Sequence, residues 1–490
     1  MAGLDDIFFP SSVAVVGASA EANSGTNLIL LDPLLRYGFR GEIYPVNPRA
    51  NEIRGLKSYP SLLDIPGPVD LVICALAARH MPRIAQECVQ KGAKGLHIFS
   101  AGFSETGESE GKRLEAEVVA LAQQAGMRVI GPNCFGLSCL ASGLCTLNDM
   151  PTEPGGLAMA SQSSAIAVEF TDAAATRGVR FSKAVCYGNG SDLNETDFLD
   201  YYGQDPDTRI IALYLEGVRD NRFFSVLRDV AARKPVLILK GGTSGAGGRA
   251  VSSHTGSLVG RGEVWWALCR QAGAVAATSL NDLVDLAVGF YHFTPPVGDR
   301  TAIVVFGGGL GVKAADDCER GGLSVPPLDA ATRQTIGSFM PPVGTSTANP
   351  VDGSPGVIWM AGPLFKVLAA LDTSPNVDLA MVHLWVPSHT HRANPEIVDD
   401  QADAMARAHR ELSLHVVGIN SFTGSPEAAE TSIRTLQKCV GAGVPVFSNF
   451  HAAASSVHRF NNYHTNAGKP VPSTRHGKLP DVEGPRKEAL

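Results

Sequence analysis

Ser12-Val13-Ala14-Val15-Val16, closed by Gly17-Ala18-Ser19, is the stretch on which the reading of the fold turns. A short apolar run that stops at a glycine turn reads as a buried strand handing the chain to a helix. The same punctuation returns along the first third of the chain. Glu42-Ile43-Tyr44-Pro45-Val46 ends at Asn47-Pro48-Arg49, and Val69-Asp70-Leu71-Val72-Ile73-Cys74 follows. Then come Gly95-Leu96-His97-Ile98-Phe99 and Arg128-Val129-Ile130, the last closing on Gly131-Pro132-Asn133-Cys134. Helical patterns such as Arg113 to Ala125 fill the intervals. Strands that alternate with helices imply right-handed crossovers and a parallel sheet. Residues 1–148 are therefore expected to form a Rossmann-like unit whose ligand edge lies at the strand C-termini.

A second unit is expected over 149–296, after the loop Pro151-Thr152-Glu153-Pro154-Gly155-Gly156. Its strands are Leu157-Ala158-Met159-Ala160, Phe181 to Tyr187, Ile210 to Leu215 and Pro235 to Lys240. The first turns through Ser161-Gln162-Ser163-Ser164 into a helix, the second ends at Gly188-Asn189-Gly190, and the third at Glu216-Gly217. This pattern reads as flavodoxin-like. Thr294-Pro295-Pro296-Val297-Gly298 is a linker, and a third unit over 297–450 opens with Thr301 to Phe306 and Gly307-Gly308-Gly309-Leu310-Gly311-Val312. It carries strand candidates at Leu379–Val386, His415–Ile419 and Val444–Phe447. Residues 451–490 are expected as a polar tail, partly disordered or wrapped on a partner.

Composition agrees with this class. At about 150 residues per domain, 490 residues suggest roughly three. The 44% hydrophobic content is ample for cores, and 52 glycines suit many tight turns. A net charge of −7 argues against nucleic acid as the main partner. No stretch reaches the 18 or more apolar residues of a membrane span, and Met1-Ala2-Gly3-Leu4-Asp5-Asp6 lacks the marks of a signal peptide. Nine scattered cysteines read as reduced thiols, so a soluble cytoplasmic protein with no membrane partner is expected.

The segment Arg249-Ala250-Val251-Ser252-Ser253-His254-Thr255-Gly256-Ser257-Leu258 carries the candidate chemistry. His254 stands among small, hydroxyl-bearing and glycine residues, right after the run Gly241-Gly242-Thr243-Ser244-Gly245-Ala246-Gly247-Gly248. Neutral imidazole is a nucleophile near neutral pH and a competent phosphoryl acceptor. A mobile glycine-rich loop would give such a group room, and loops carry function. The alternative is a merely structural loop histidine.

Other candidates carry their own alternatives. Gly17-Ala18-Ser19 departs from G-x-G-x-x-G and is either a phosphate turn or a plain tight turn. Asn47-Pro48-Arg49 adds a cation at the next strand end, which favours a nucleotide-like ligand. Ser161-Gln162-Ser163-Ser164 is either an anion site at a helix N-terminus or an ordinary serine cap. It is not a hydrolase elbow, which needs G-x-S-x-G. Glu216 would emerge at the ligand edge, where a carboxylate fixes an imidazole tautomer, or is a solvated strand end. Asn189 and Asp192 are candidates to line the same cleft. His383, His389 and His391 suggest no metal site, because an extended i,i+2 pair points to opposite faces.

Together these segments resemble the nucleoside-diphosphate-forming acyl-CoA synthetases, relatives of succinyl-CoA synthetase, in the α part of the ADP-forming acetyl-CoA synthetase type. The resemblance runs from about residue 5 to 450. Its motifs are Val15-Val16-Gly17-Ala18-Ser19, Tyr44-Pro45-Val46-Asn47-Pro48, Gly131-Pro132-Asn133-Cys134 and Ser161-Gln162-Ser163. Gly188-Asn189 with Asp192, Tyr214-Leu215-Glu216-Gly217 and Ser253-His254-Thr255-Gly256-Ser257-Leu258 follow. The third unit adds Gly307-Gly308-Gly309-Leu310-Gly311-Val312 with Asp316, and Asn349-Pro350-Val351-Asp352.

The resemblance implies a CoA-binding Rossmann-like domain followed by two flavodoxin-like ligase domains. It implies an acid–thiol ligase that interconverts acyl-CoA, ADP and phosphate with carboxylate, CoA and ATP. His254 would be transiently phosphorylated, with Glu216 as its carboxylate partner. Ser161, Gln162, Ser163 and Ser164 would cradle phosphate, and coenzyme A would lie near Gly17, Ser19, Asn47, Arg49 and Asn133. Three features depart from the family pattern: Ser164 in place of glycine, a longer turn after Ser19, and Lys240-Gly241-Gly242. No ATP-grasp unit is legible after residue 450, so Mg-ATP or Mg-ADP would sit on a separate β subunit in an α2β2-type assembly. Two rival readings keep the fold without that reaction: a non-catalytic CoA- or acyl-CoA-binding regulator, and an ATP-independent CoA transferase or lyase.

Overall fold

The computed structural model describes residues 3–21, 23–147, 150–255, 262–353, 362–384, 396–421 and 426–466. In strand β1 (Ser12–Val16) every residue is buried. Val13 and Val15 enter one core and Ala14 and Val16 the opposite one. A strand covered on both faces needs apolar residues at every position, which is why its sequence runs on without alternation. With β2 (Glu42–Val46), β3 (Leu71–Cys74), β4 (Gly95–Ile98) and β5 (Arg128–Ile130) it forms a five-stranded parallel sheet in the order β2-β1-β3-β4-β5. The chain reverses direction of travel across the sheet at β1, so the β1 and β3 ends flank a crevice of the kind that takes ligands.

The second sheet holds β6 (Gly136–Cys139), β7 (Leu144–Cys145), β8 (Leu157–Ser161), β9 (Phe181–Cys186), β10 (Ile210–Leu215), β11 (Val236–Lys240) and β12 (Val275–Ala277). Their order is β12-β11-β10-β8-β9-β6-β7. The five strands from β8 to β12 pair in parallel, while the β6–β7 hairpin adds antiparallel to β9 through Ala184↔Ser138 and Cys186↔Gly136. That hairpin lies before residue 148, in the stretch assigned from sequence to the first unit, so the chain enters the second sheet near Gly136. The third sheet is parallel, with β13 (Thr301–Val305), β14 (Val351–Asp352), β15 (Leu379–His383), β16 (His415–Ile419) and β17 (Val446–Phe447) in the order β14-β13-β15-β16-β17.

The cores are shared across the sheets. One apolar cluster joins Val13, Val15 and Ile73 of the first sheet to Ala158, Val185 and Leu213 of the second. Another joins Leu157, Met159 and Phe181 of the second to Ile303, Val305 and Met381 of the third. Arg177 adds a polar tie between the second and third units: it pairs with Asp285 at 2.7 Å and donates from Nε to the Val446 carbonyl at 3.0 Å. All nine cysteines are unpaired and buried. Among the described residues, no helix is long and apolar enough to cross a membrane.

Two expectations need correction. The polar tail from 451 is, as far as Asn466, a packed helix (Phe450–Asn466). Ala453, Ala454, Val457 and Phe460 face the core at i, i+1, i+4, i+7 spacing. The Phe460 ring meets those of Phe290 and Phe293 at 5.2 and 5.7 Å. Phe460→Ala is expected to cost about 3–5 kcal/mol of stability, the usual price of an emptied aromatic site, seen as a lower denaturation midpoint. A solvated tail would give no change. The glycine-rich run before His254 is likewise helical from Gly245, in the helix Gly245–Thr255, where a loop was expected. Ser244 opens it by accepting the Gly247 N–H on its hydroxyl at 3.0 Å, and Val251 packs inward at 7% exposure.

Candidate active site

Strand adjacency builds the site. β8 lies beside β10, with Ser161 opposite Tyr214, and β10 lies beside β11, with Leu215 opposite Lys240. Parallel strands end at one edge, so the Ser161–Ser164 turn, Glu216 and Lys240 emerge side by side there.

The turn after β8 is organised by its own hydroxyls. Ser161 is fully buried; its Oγ donates to the Ser163 carbonyl at 2.7 Å and accepts the Ser163 N–H at 3.2 Å. Ser163 caps the helix Ser164–Thr176 by accepting the Ile166 N–H at 3.5 Å. Ser164 Oγ accepts the Phe135 N–H at 3.2 Å and lies 3.0 Å from Cys186 Sγ. A helix begun in this way still presents unpaired first-turn N–H groups and the positive end of its dipole. Gln162 behaves differently. Its Oε1 accepts the backbone N–H of Glu216 at 2.9 Å and of Gly217 at 3.2 Å.

Glu216 is 9% exposed, and the Tyr214 hydroxyl donates to its Oε1 at 3.4 Å. Burial and the Glu216 charge both raise the pKa of the Tyr214 phenol. Lys240 Nζ donates to the Glu216 carbonyl at 2.8 Å and to the Gly241 carbonyl. Burial lowers the pKa of the Lys240 ammonium, opposed by the Glu216 charge. The His254 backbone lies in the last turn of the helix that follows β11. Its side chain, and residues 256–258, lie outside the described residues.

At the first sheet, Gly17 adopts φ +94°, a left-handed turn that suits glycine, and donates its N–H to the Val46 carbonyl at 3.2 Å. The turn is held from two sides. Asn27 takes the Ser19 N–H on Oδ1 at 2.9 Å and returns Nδ2 to the Ser19 carbonyl at 2.6 Å. Asn47 donates Nδ2 to the Ala18 carbonyl at 2.7 Å and accepts the Arg49 N–H at 2.8 Å. Arg49 is exposed at the same edge. Asn133 adopts a left-handed φ of 59° and donates its N–H to the Ser100 carbonyl at 3.0 Å.

Asn189 and Asp192, expected to line the cleft, are engaged in joining the first two units. Asn189 Nδ2 lies 2.6 Å from Glu105 Oε2, 2.9 Å from Glu115 Oε2 and 3.3 Å from Ser104 Oγ. Asp192 pairs with Arg128 at 2.9 Å and accepts the Val129 N–H at 2.8 Å. The reason is the path of the loop after β9, which runs against the Pro132–Asn133 backbone. At Gly188 (φ +53°) an added Cβ would sit 2.3 Å from the Pro132 carbonyl oxygen.

Sequence reasoning passed over two residues here. Asn27 is fully buried in a π-helical stretch, Asn27–Leu31, and nothing in its local sequence marks it as the clamp of a turn eight residues earlier. Lys240 did carry a signal: a charged residue closing an apolar, fully buried strand. His383 is an interior histidine whose Nε2 lies 2.7 Å from Ser421 Oγ, with burial pushing its pKa down to about 4. His389 and His391 lie outside the described residues. Among the described residues, no group of three or more His, Cys, Asp or Glu could hold a metal.

Comparison with known proteins adds to this geometry. Residues 11–139 match a CoA binding domain, and residues 154–290 a succinyl-CoA ligase like flavodoxin domain. The α subunit of an acetate–CoA ligase (ADP-forming) I of Pyrococcus furiosus is 38% identical over 355 residues, covering 71% of this chain and 76% of that subunit. The acetate–CoA ligase (ADP-forming) I of Archaeoglobus fulgidus is 39% identical over 351 residues, but those span 50% of its length and 71% of this chain. Among solved structures, the dinucleotide forming acetyl-coenzyme A synthetase 1 of Ca. Korarchaeum cryptofilum, in complex with phosphate and ADP, superposes with a TM-score of 0.79. It is 30% identical, and the match covers 95% of this chain and 98% of that one.

Proposed function

The chain belongs to the family of ADP-forming acetate–CoA ligases, and from that premise we propose that it is the α subunit of an ADP-forming acyl-CoA synthetase working through a phosphohistidine at His254. In the ATP-forming direction, phosphate attacks the thioester carbonyl of acyl-CoA, CoA leaves as the thiol, and an acyl phosphate forms. The His254 imidazole then takes the phosphoryl group, releasing the carboxylate, and finally passes it to ADP. Thioester and acyl phosphate have similar transfer potential, so no step is steeply uphill.

The observation that carries this reading is the shared edge of β8, β10 and β11. It gathers a helix N-terminus able to hold phosphate, the Glu216 carboxylate and the start of the helix that bears His254. A carboxylate on one imidazole nitrogen fixes the tautomer and stabilises charge on the ring. Ser161, Gln162, Ser163 and Ser164 form the cradle; the serine hydroxyls and the Gln162 and Ser163 N–H groups have protein partners, so phosphate is held where the helix begins, by the N–H groups from Ser164 onward and the positive end of the dipole. Coenzyme A takes the edge of the first sheet, near Gly17, Ser19, Asn47, Arg49 and Asn133. Ser19 and Asn47 serve there at least by holding the turn in shape.

The nucleotide with its Mg2+ belongs on a separate ATP-grasp β subunit in an α2β2-type assembly. Two observations support this: a relative is named an α subunit, and the chain spans half of the Archaeoglobus relative. The test has two arms. The chain alone should bind CoA in calorimetry and make no ATP from acetyl-CoA, ADP and phosphate; with its β subunit it should make ATP. CoA binding without ATP formation in the full complex, across a panel of acyl-CoAs, would contradict the ligase reading and favour a CoA-binding regulator.

A further inference from the structure

Glu216 is held by its main chain on both sides. Its N–H, and that of Gly217, are taken by one oxygen of Gln162, at 2.9 and 3.2 Å. Its C=O is taken by the Lys240 ammonium at 2.8 Å. Three residues on, Glu195 Oε1 accepts the Arg219 N–H at 2.6 Å. Gln162, Lys240 and Glu195 are 7%, 9% and 1% exposed, so these bonds form away from bulk water, where they are strong and costly to lose. A strand end in an α/β sheet needs none of this for folding. Water satisfies such groups at most loop starts, and placing a lysine ammonium in a buried position is unfavourable unless it is well paired.

We infer that Gln162 and Lys240 are positioning residues that grip the peptide groups on either side of the Glu216 Cα and so fix the direction of its carboxylate. The inference rests on the reading of Glu216 as the partner of His254. The geometry gives the grip its specificity. With N–H and C=O of one residue both pinned, φ and ψ at Glu216 have little freedom, and the Cα–Cβ direction is set before any ligand arrives. The carboxylate therefore meets the imidazole without an ordering cost at the moment of transfer, the advantage expected of a preorganised group. It also changes how the Ser161–Ser164 turn is understood. Gln162 stands within the cradle sequence, but its oxygen faces backbone donors, so its contribution to phosphate runs through the placement of Glu216.

The test is a pair of double-variant cycles on the full α–β complex, reading the rate of acid-labile phosphorylation of the chain by Mg-ATP. Glu216→Gln removes the carboxylate charge. Gln162→Leu removes the N–H grip and Lys240→Met the C=O grip. Each single variant should slow phosphorylation about tenfold to a hundredfold, the scale for residues that orient a reacting group. Each double variant with Glu216→Gln should be no slower than Glu216→Gln alone to within about threefold, because a misaimed and an absent carboxylate are equivalent. Where Gln162→Leu does not assemble, Gln162→Asn withdraws the same oxygen by one methylene and enters the same cycle. A loss of fold would lower both backgrounds alike. Additive losses, or single clamp variants at the wild-type rate, with Glu216→Gln impaired, overturn the clamp alone. Glu216→Gln at the wild-type rate overturns the role of Glu216 and the clamp with it.

Discussion

His254→Ala, assembled with the proposed β subunit, is expected to make no measurable ATP from acyl-CoA, ADP and phosphate. The fall should be about four orders of magnitude or more, as when the nucleophile of a covalent relay is removed. In the proposed relay the acyl phosphate forms at this chain and ADP lies on the β subunit, so without the histidine the phosphoryl group has no carrier between them. CoA binding should be unchanged, because the proposed CoA residues Gly17, Ser19, Asn47 and Asn133 lie in turns of the first unit and His254 is not among them; the helix that carries His254 reaches that unit at Ser104–Thr106. The same variant separates the rival chemistries. A CoA transferase or lyase on this fold would keep its turnover, because neither needs a phosphoryl acceptor.

Asp205→Ala should be as damaging as the emptying of the Phe460 site. Asp205 accepts from Lys183 Nζ at 2.7 Å and from Thr208 Oγ1 at 2.5 Å, and the Lys183 side chain is 1% exposed. The ammonium also lies 5.3 Å from the Phe9 ring centroid and 5.7 Å from that of Tyr201. Removing the carboxylate leaves a buried cation among aromatic rings, a loss of about 3–5 kcal/mol, whereas replacing both partners by apolar residues should recover much of it. Lys183→Met with Asp205→Leu is therefore expected to unfold at higher denaturant than Asp205→Ala alone. The pair also has a pH signature. Burial alone would raise the Asp205 pKa, but Lys183 and Thr208 outweigh it and hold the carboxyl below its ordinary value. A depressed carboxyl stabilises the fold fully above its unfolded-state pKa, and that contribution fades as pH falls through the lower, folded value. The stability difference between wild type and Asp205→Ala should thus shrink in acid and stay constant around neutrality.

Much of this architecture is legible in sequence because parallel strands covered on both faces announce themselves as apolar runs ending in glycine. Ser12–Val16, Ile210–Leu215 and Thr301–Val305 need only that signal. The Gly136–Cys145 hairpin has no such mark. Its strands are four and two residues long, and the placement of the first depends on pairing with β9 residues such as Ala184 and Cys186, far along the chain. The Phe450–Asn466 helix did carry its pattern in Ala453, Ala454, Val457 and Phe460, hidden by a polar average over the last forty residues. At the site, residue types pointed to Glu216 and Ser161–Ser164, since strand ends and helix starts place groups predictably. The use of the Gln162 oxygen could not be read, because it depends on which strand lies next to β8. Asn189 and Asp192 sit at the expected strand end, yet their partners come from the first unit: Glu105 from a turn, Glu115 from the helix Ser109–Gln124 and Arg128 from strand β5.

The most direct test is the intact mass of this chain, co-purified with its β subunit and treated with Mg-ATP at neutral pH, beside His254→Ala treated in the same way. The phosphohistidine account predicts the gain of one phosphoryl group on the wild-type chain, stable at neutral and alkaline pH, lost in acid, and absent from the variant. An unchanged mass on the wild-type chain, in a complex shown to bind Mg-ATP, would contradict it.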